Sequence, residues 1–508
     1  MYILTSKQMY QAELNAVSRG ITFPELMETA GTECAKIIYR QYWNTADSAL
    51  ILCGKGKNGG DGFVAARVLA EKGFAVKVVL VCGEPAAEDA VSNFNRLESC
   101  IEVIRYSGNP AEIGNLAGER TVIVDAIFGT GFKGELSPEL SALAFTVNGL
   151  ANKVIAVDVP SGVDCDRTGE QAAEGICFRA DLTVPITACK PVHATAAGRK
   201  ICGEIIVADI GITEEDIEKV PGSKGQAVSR VSLRKRAEFS NKGAFGHALC
   251  VCGSKRMPGA ACICVTAALR CGAGLVTAAF PQSAYPAIAS KINEALMLPL
   301  AEKDGMLCPA SLDELQTAMN KATAIVTGCG LGFTDETKEV VYGIIEKAGV
   351  PLVIDADAIN AVAENPGILR KAKYPPVVTP HPGEMARLCG KSVAEILENK
   401  IETGAAFAKE FNCLLVLKDA ATLIFVPGGD YYISSTGNDA LSKGGSGDML
   451  AGMICSFLAQ GADSKTAAVN AVYLHGGVAD EVTKSVSGRG VLATDLINYL
   501  PVYFKKFD

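Results

Sequence analysis

The sequence predicts two consecutive α/β domains, each built around a doubly wound parallel sheet. Three observations lead to this prediction. The chain has 508 residues, which at roughly 100 to 200 residues per domain excludes one small domain. Hydrophobic residues make up 49% of it and charged residues 20%, a balance typical of compact proteins and unlike disordered or fibrous chains. Short apolar runs alternate with helical or glycine-rich segments in two successive series, which favours parallel sheets.

The charge balance points to small-molecule partners. Lysine and arginine number 48 against 56 aspartate and glutamate residues, giving a net charge of -8 without a polybasic block. Nucleic-acid binding and attraction to a membrane surface are therefore not supported. Residues 1–20 lack the apolar core of a secretory signal, and glycine and proline interrupt the longest uncharged run, residues 271–290. We expect a cytoplasmic homo-oligomer without a nucleic-acid or membrane partner.

The 18 cysteines are expected to be reduced and buried, because a long chain without a secretory signal stays in a reducing compartment. No Cys-x-x-Cys pair occurs in the sequence, so zinc binding and thiol redox chemistry have little support. Packing is the expected role of Cys250, Cys252, Cys262 and Cys264, which alternate within apolar runs.

Helices precede the first series of strands. Thr5 or Ser6 is the expected N-cap of the first helix, which leads through residues 26–31 into a second. Apolar runs then predict strands at residues 49–53, 76–81, 121–128, 154–159 and 182–186.

A polar segment without an apolar period, residues 214–229, is the predicted linker between domains 1–213 and 230–508. The second series predicts strands at residues 248–252, 275–280, 324–327, 352–355, 377–379 and 414–418. Two further runs, 422–427 and 430–434, flank a Gly-Gly pair, which predicts a hairpin and antiparallel strands at the end of the second sheet.

A glycine-rich loop follows the first predicted strand of the N-terminal domain. Residues 54–62 contain the spacing G-x-G-x-x-G between a strand and a helix. Such a loop lets backbone amides approach a phosphate at a helix N-terminus, and Glu84 beyond the next strand offers a ribose ligand, as in dehydrogenases. The alternative is that the glycines only shape a tight turn.

Two other strand ends in this domain carry polar groups. Asp125 lies in a strand that runs into residues 129–131, and Asp158 ends a strand that leads into residues 160–164. Open parallel sheets bind ligands beyond the carboxyl ends of their strands, so these loops are expected to converge on one crevice. An isolated aspartate at such a position more often caps a helix, but three polar loops favour a site.

Residues 1–213 resemble the N-terminal domain of the NAD(P)H-hydrate repair enzymes, an epimerase that interconverts the R and S forms of hydrated nicotinamide cofactors. Three motifs carry the resemblance: Leu-Met-Glu-x-Ala-Gly at 26–31, Asn-Gly-Gly-Asp-Gly at 58–62 and Asp-x-Pro-Ser-Gly-x-Asp at 158–164. The resemblance implies a Rossmann-like three-layer α/β/α fold.

The same resemblance implies a potassium ion bound by Asn58, Asp125 and Ser161, whose oxygen ligands suit a hard cation. It also makes Asp158 the proton-transfer residue. The implied substrate-binding residues are Asn58, Gly59, Gly60, Asp61, Gly129, Thr130, Gly131, Phe132, Lys133, Gly134, Glu135 and Asp158. Lys57 stands where the family usually has Asn, so the contact made at that position is left open.

A second glycine-rich loop, residues 436–448, precedes an apolar helix in the C-terminal domain. Free amides at that helix start would stabilise charge on a transferring phosphoryl group, and Asp448 stands where a general base belongs. The alternative is that Asp448 is an ordinary N-cap. His381, held between two prolines at a strand's exit, is presented to the same face, and Asp357 is either a helix cap or a metal or phosphate ligand.

Residues 230–508 resemble the ribokinase-like dehydratase domain of the same repair enzymes. The run Thr-Pro-His-Pro-Gly-Glu-Met at 379–385 and the loop Gly-Gly-x-Gly-Asp at 444–448 carry this resemblance. The implied substrate contacts are Ala260, Gly330, His381 and Asp448, and the implied nucleotide contacts are Lys418, Asp419, Ala420, Ala421, Thr422 and Gly447. Asp419 stands where the family commonly has Gly, and its charge bears on the tightness of nucleotide binding.

Together the two resemblances imply a bifunctional repair enzyme with an epimerase followed by a dehydratase. By this resemblance the dehydratase acts on the S form, uses ADP as co-substrate and Mg²⁺ as cofactor, and releases AMP and phosphate. Asp448 and Asp158 are the expected catalytic residues of the two domains. Two alternatives use the same features: a small-molecule kinase of the ribokinase-like type with an appended Rossmann-like ligand-binding domain, and a non-catalytic nucleotide sensor.

Overall fold

The chain divides into two units, Met1–Gly225 and Gln226–Asp508. The structure, a computed structural model, describes residues 1–97, 99–168, 175–228, 230–236, 239–434 and 436–507. Ser229 of the predicted linker and Asp508 at the end of the predicted second domain lie outside the described residues. Within these ranges no helix is both long enough and apolar enough to cross a lipid bilayer.

The N-terminal unit is built on parallel strands covered by helices. Its strands are β1 (Tyr2–Ile3), β2 (Ser48–Cys53), β3 (Ala75–Leu80), β4 (Glu102–Arg105), β5 (Thr121–Ala126), β6 (Val154–Val157), β7 (Leu182–Val184) and β8 (Glu204–Ile205). Its α-helices are α1 (Ser6–Ser18), α2 (Phe23–Tyr42), α3 (Lys57–Glu71), α4 (Glu88–Phe94), α5 (Ala111–Leu116), α6 (Pro138–Asn148), α7 (Ala196–Cys202) and α8 (Glu214–Glu218).

The N-cap of α1 is Thr5, one of the two residues predicted for that position. Its side chain accepts the Gln8 amide while the Gln8 side chain accepts the Thr5 amide, so two free amides of the helix start are satisfied. Thr22 and Glu25 form the same reciprocal cap at the start of α2. The local sequence therefore sets the beginning of both helices.

The seven-stranded sheet has the order β4-β3-β2-β5-β6-β7-β8 and every pair in it is parallel. Alternate residues of β2 pack on opposite faces: Ile51 with the α2 and α3 side, Leu52 with the α6 side. These faces make three layers, as predicted. From β2 the chain continues to β3 and β4 on one side of the sheet, and from β5 it continues to β6, β7 and β8 on the other side. This change of direction opens a crevice at the carboxyl ends of β2 and β5.

The C-terminal unit contains the second series of strands. These are β9 (Gly225–Val228), which straddles the division, β10 (His247–Val251), β11 (Leu275–Pro281), β12 (Leu296–Leu300), β13 (Glu302–Lys303), β14 (Met306–Leu307), β15 (Ala324–Thr327), β16 (Leu352–Ile354), β17 (Val377–Val378), β18 (Leu414–Leu417), β19 (Leu423–Phe425) and β20 (Tyr431–Ser434). The α-helices are α9 (Pro258–Arg270), α10 (Tyr285–Ala289), α11 (Leu312–Met319), α12 (Asp335–Lys347), α13 (Ala356–Glu364), α14 (Pro382–Cys389), α15 (Val393–Glu398), α16 (Lys400–Glu410), α17 (Ser446–Ala459), α18 (Ser464–Val482) and α19 (Ala493–Phe504).

Its main sheet runs in the order β20-β19-β18-β17-β16-β15-β10-β11-β12. In this order, each pair of neighbouring strands from β18 across to β12 is parallel. Strand β19 runs antiparallel to both of its neighbours, β18 and β20, and β19 and β20 form the predicted hairpin. The chain leaves β10 in one direction and returns to β15 on its other side, so the switch point lies between these two strands. Helix α17 is buried at every position from Met449 to Ala459, which fits its uniformly apolar sequence.

The sequence patterns missed strands at the sheet edges. β4 begins with Glu102 and ends with Arg105, so its apolar run is too short to recognise. β12 contains Pro299, which an edge strand tolerates because one side of it needs no amide donor. Both strands are held by a neighbour rather than by a strong pattern of their own.

The predicted linker, residues 214–229, contains regular structure. Helix α8 packs on the N-terminal unit, where Asp216 accepts a hydrogen bond from Arg19 at 2.9 Å and its carbonyl accepts one from Asn15 at 2.8 Å. The division between the units falls at Gly225, inside this segment. The 18 cysteines form no disulfide bond in the described part of the chain, and most of them are buried.

Candidate active sites

Asp125, at the end of β5, is fully buried and anchors the crevice of the N-terminal unit. Its carboxylate accepts the Ser161 hydroxyl at 2.6 Å, the Ser161 amide at 2.7 Å and the Ile127 amide at 3.2 Å. The loops that follow β5 and β6 are thereby tied together. Burial raises the pKa of Asp125 to about 6 against the opposing effect of these hydrogen bonds, and no cationic side chain in the described ranges pairs with it.

Asn58 lies in the first turn of α3 and its side chain reaches the same crevice. It is buried, and its Nδ2 has no hydrogen-bond partner within the described part of the chain. A Cβ placed on Gly129 would lie 3.1 Å from Asn58 Oδ1 and 3.2 Å from Asp158 Oδ2. Glycine therefore lets this loop pass between the two side chains, and the structure brings these three predicted residues together.

Asp158 has a left-handed backbone with φ of +68°, which is strained for a residue with a side chain. Its Oδ2 accepts the Thr130 amide at 3.2 Å, and its Oδ1 accepts the Ile186 amide at 3.2 Å together with the Lys190 ammonium group. Lys190 is fully buried and also donates to the Ile186 carbonyl at 3.0 Å. Lys190 is not predicted by the sequence patterns; its only signal is a lysine between small apolar residues and Pro191 after β7.

A cavity of about 220 Å³ opens beside this pair. The charged residues of its lining are Glu13, Lys57, Asp61, Asp89, Asp158 and Lys190. Burial, together with the charge of Asp158, raises the pKa of Asp61 well above its usual value, and burial likewise raises that of Glu13. The cavity thus combines two carboxyl groups whose pKa is raised with an ion-paired carboxylate. Glu13 was not predicted.

The predicted segment 129–135 divides in its contacts. Gly129 and Thr130 line the cavity, but Phe132 packs against Phe128 with ring centres 5.0 Å apart. Lys133 pairs with two aspartates further along the chain rather than with the cavity residues. Glu84, the ribose candidate of the dehydrogenase alternative, is exposed and paired with Arg105 at 2.6 Å.

In the C-terminal unit, four neighbouring strand ends meet around Asp355. Its Oδ1 accepts Thr379 Oγ1 at 2.6 Å and Lys418 Nζ at 2.9 Å, and the Cys329 thiol lies 3.6 Å from its Oδ2. These residues follow β16, β17, β18 and β15 respectively, all parallel to one another. Burial raises the pKa of Asp355, but the charge and hydrogen bond of Lys418 outweigh it and leave that pKa below its usual value.

Asp448 lies in the first turn of α17, close to this cluster. One oxygen of its carboxylate, one of Asp355 and the Cys329 sulfur all lie within 4.8 Å of one another. Burial, followed by the negative charge of Asp355, raises the pKa of Asp448 to about 6. A Cβ on Gly447 would lie 3.3 Å from Lys418 Nζ, so the helix start is close to a cation.

The start of α17 is open to an anion. Gly445, its N-cap, has φ of +95° and contributes no side-chain hydrogen bond, so the first amides are not capped by a side chain. Two buried polar atoms beside it, Ser446 Oγ and His475 Nε2, have no partner in the described ranges. Burial lowers the pKa of His475 to about 4, so its ring is neutral. His475 was not predicted; in sequence it is one residue of an apolar helix.

His381 is the N-cap of α14, which is the structural role that a lone histidine usually has. Its Nδ1 accepts the amides of Gly383 at 3.0 Å and Glu384 at 3.3 Å, so the proton of the neutral ring is on Nε2. Burial and then the charge of Lys418 lower the pKa of His381. The Nε2 of the half-exposed ring lies 3.5 Å from Glu384 Oε1, so its N–H donor faces both that carboxylate and a ligand.

Two glycine loops complete the region. Asp357 accepts the Gly332 amide at 2.8 Å, so it ties the loop after β15 to α13. A Cβ on Gly330 would lie 2.7 Å from the Ala260 Cβ, which shows that the two predicted substrate contacts adjoin. The predicted residues of this domain thus come from loops that the strand order brings to one edge of the sheet.

Comparison with known proteins identifies the family. The family model described as YjeF-related protein N-terminus matches residues 24–192, and the one described as NAD(P)H-hydrate dehydratase matches residues 248–502. Proteins named bifunctional NAD(P)H-hydrate repair enzyme Nnr from Moorella thermoacetica and Coxiella burnetii are 36% and 34% identical to the chain; the alignments span 100% and 98% of it and 97% and 98% of those proteins. The chain belongs to the bifunctional NAD(P)H-hydrate repair enzymes.

The protein is therefore a bifunctional NAD(P)H-hydrate epimerase and dehydratase, and hydrate repair is supported over the kinase alternative. The predicted Rossmann-like and ribokinase-like classes are confirmed. Among solved structures, an ADP/ATP-dependent NAD(P)H-hydrate dehydratase from Bacillus subtilis, co-crystallised with ATP and Mg²⁺, is 34% identical; the match covers 54% of this chain and 95% of that one, with a TM-score of 0.47.

Two positions at which this repair enzyme departs from the expected family pattern have identifiable contacts. Lys57 Nζ lies 4.5 Å from the ring centre of Phe23, at the lining of the N-terminal cavity. Asp419 forms an ion pair with Lys400, whose side chain is 4% exposed. The negative charge of Asp419 is thus balanced by a buried cation, which removes much of its expected effect on a nearby phosphate.

Proposed function

We propose that the C-terminal unit dehydrates the S form of hydrated NADH or NADPH with ADP, releasing AMP and phosphate, and that the N-terminal unit interconverts the R and S forms. One observation carries the dehydratase assignment. Asp448, a carboxylate with no ion-pair partner among the described residues, lies at an uncapped helix start, and Lys418 lies beside that start. This arrangement supports a role for Asp448 as a proton acceptor beside donors for a phosphoryl group.

The dehydratase chemistry follows from these positions. With a pKa of about 6, Asp448 is mostly ionised at neutral pH and accepts the proton of the ring hydroxyl. The hydroxyl oxygen attacks the terminal phosphorus of ADP and AMP leaves, while the amides of residues 444–447 and Lys418 bind the transferring group. The ring nitrogen then donates its electron pair, phosphate departs, and loss of a proton from the adjacent carbon restores the dihydronicotinamide.

Mg²⁺ suits the Asp355 side of this cluster, where a buried carboxylate with a lowered pKa lies near the start of α17, and Asp448 is left as the proton acceptor. Proteins bind Mg²⁺ through one or two carboxylates together with substrate phosphates. When bound, the ion would neutralise negative charge on the nucleotide. The ion pair between Asp419 and Lys400 leaves the phosphate end of the nucleotide site without an unbalanced negative side chain at that position.

Potassium suits the N-terminal crevice for an electrostatic reason. Asp125 is a fully buried carboxylate that no cationic side chain of the described chain neutralises. Ser161 Oγ, 2.6 Å from it, and Asn58 Oδ1 offer further oxygen ligands, whereas the unpaired Nδ2 of Asn58 is a donor and cannot hold a cation. A cation held by Asn58, Asp125 and Ser161 would supply the missing charge. When bound, it would organise the loops against the substrate; proton transfer itself belongs to Asp158.

Incubation of the protein with hydrated NADH and ADP tests the proposal. We expect dihydronicotinamide absorbance to appear together with AMP and phosphate in equal amounts, and the R form to be consumed when S runs out. A phosphorylated hydrate that accumulates would indicate the kinase alternative, and binding without turnover would indicate a sensor. Homo-oligomerisation and a cytoplasmic location stay predictions, which size determination in solution and cell fractionation can test.

A further inference from the structure

Lys190 is a buried cation at the centre of the N-terminal site. Its side chain is 0% exposed, and its ammonium group donates to Asp158 Oδ1 and to the Ile186 carbonyl. Burying an ammonium group is strongly unfavourable unless a paired charge and hydrogen bonds compensate for it, and Asp158 provides both. Lys190 and Asp158 line the same cavity, so the pair is presented to the molecule that the cavity binds.

The carboxyl groups of this cavity have different surroundings. Asp158 is held by an ammonium group and by two backbone amides, all of them donors that stabilise the ionised form. Asp61 and Glu13 have no ion pair within the described part of the chain, and their pKa values are raised by burial. Lys57 and Asp89 are the other charged residues of the described lining, and His193, with its pKa lowered by burial to about 3, is neutral behind Lys190.

We propose that Lys190 is a positioning residue for epimerisation, which holds Asp158 as the ionised proton acceptor and leaves Asp61 as the proton donor. This inference rests on the proposed epimerase function. Asp158 takes the proton of the ring hydroxyl, the C–O bond becomes a carbonyl, and the bond from that carbon to the ring nitrogen breaks. The electron pair goes to the nitrogen, which takes a proton from Asp61. Rotation of the carbonyl group and the reverse steps give the other form and return both protons.

A purely structural role for Lys190 makes a different prediction. If Lys190 only supported the left-handed backbone of Asp158 and the loop through Ile186, its loss would lower the epimerisation rate equally at every pH. A role through the charge of Asp158 changes the pH dependence instead, because a carboxyl group without its cation keeps its proton to higher pH.

The test uses Lys190→Met in the full chain, with R to S interconversion measured from about pH 5 to pH 9. We expect kcat at neutral pH to fall roughly 10²-fold, the scale of a positioned acid–base group, with KM nearly unchanged and the acid limb of the profile moved to higher pH. Lys190→Gln, which keeps a donor without the charge, should show the same shift. Dehydration of S hydrate in the same preparations should be unchanged.

A rate that is unchanged, or lowered uniformly without a shifted profile, would overturn the proposal for Lys190. Absence of epimerisation by the unaltered protein would instead overturn the proposed function itself. If Lys190→Met fails to fold, the double variant Asp158→Asn/Lys190→Met decides: folding of the double variant alone supports charge compensation by Lys190, and unfolding of both indicates a structural role and contradicts the proposal.

Discussion

Lys418 Nζ lies 2.9 Å from Asp355 Oδ1 and joins the ends of β18 and β16 next to the start of α17. Lys418 neutralises the charge of Asp355 and keeps the pKa of that carboxyl group low. The pKa of Asp448 is instead raised to about 6. Two carboxyl groups in one cluster thus acquire different properties from their surroundings. The ion-paired Asp355 is suited to organise the site, and Asp448 is suited to exchange a proton.

Asp448→Asn should lower dehydration by roughly 10²- to 10⁴-fold, the usual scale for loss of a general base. ADP binding should persist because Lys418 and the amides of α17 remain. Epimerisation should be unaffected, since its groups lie in the other unit. Single-turnover dehydration and calorimetric ADP titration measure these effects, and Asp439→Asn, the same change at an exposed position of the same loop, is the control. Near-normal dehydration by Asp448→Asn would refute the assignment.

Dehydration should depend on pH through Asp448. This residue must be ionised to accept a proton, so kcat should fall as pH drops through about 6 and level off above it. Lys418 favours the ionised form of Asp448, so Lys418→Met should move the midpoint to higher pH. Steady-state rates at saturating ADP measure both profiles. A midpoint at about 3.9, the value of an unperturbed aspartate, would contradict the role of burial.

Lys400→Met should weaken nucleotide binding without affecting the chemical step. Removal of the buried cation leaves the charge of Asp419 unbalanced, and the KM for ADP should rise roughly tenfold through repulsion of the phosphates. The double variant Lys400→Met/Asp419→Gly should recover most of the loss. Lys409→Met, an exposed lysine of the same helix, is the control. An equal KM in Lys400→Met and Lys409→Met would show that Asp419 is far from the phosphates.

Potassium should stabilise the N-terminal unit and accelerate epimerisation, whereas tetramethylammonium should do neither. The expected rise in unfolding temperature is about 2 to 4 °C per kcal/mol of binding. Asp125→Asn should abolish the response because it removes the buried charge. Asp47→Asn, at the surface and paired with Arg120, should retain it. Calorimetric scans and epimerisation rates in the two salts provide the measurement, and equal responses to both cations would count against the site.

Asp158→Asn should separate the two activities. Repair of pure S hydrate should be normal, because Asp448 and His381 lie in the other unit, but repair of R hydrate should slow to the uncatalysed epimerisation rate. Mixing this variant with Asp448→Asn, each an intact chain, should restore R repair, since each supplies the activity that the other lacks. Loss of S repair in a folded Asp158→Asn protein would show that the reactions are not divided between the units as proposed.

Features set by neighbouring residues were predictable from the sequence. Apolar runs located the central strands, the Thr5 cap marked the start of α1, and the Gly-Gly pair at 428–429 marked the hairpin. Glycine loops at strand ends indicated both crevices, because the carboxyl ends of parallel strands share one edge of a sheet. The edge strands β4 and β12 were missed, since charged ends and a proline conceal an apolar pattern.

The tertiary structure decided which charges meet. Asp158 and Lys190 are 32 residues apart, and Asp355 and Lys418 are 63 apart; no local pattern pairs them. The sequence by itself determined the family, the two α/β sheets and the loops that carry the sites. Strand order and burial determined the partner and the protonation of each side chain, because the energy of a charge depends on the solvent it loses and the counter-ion it gains.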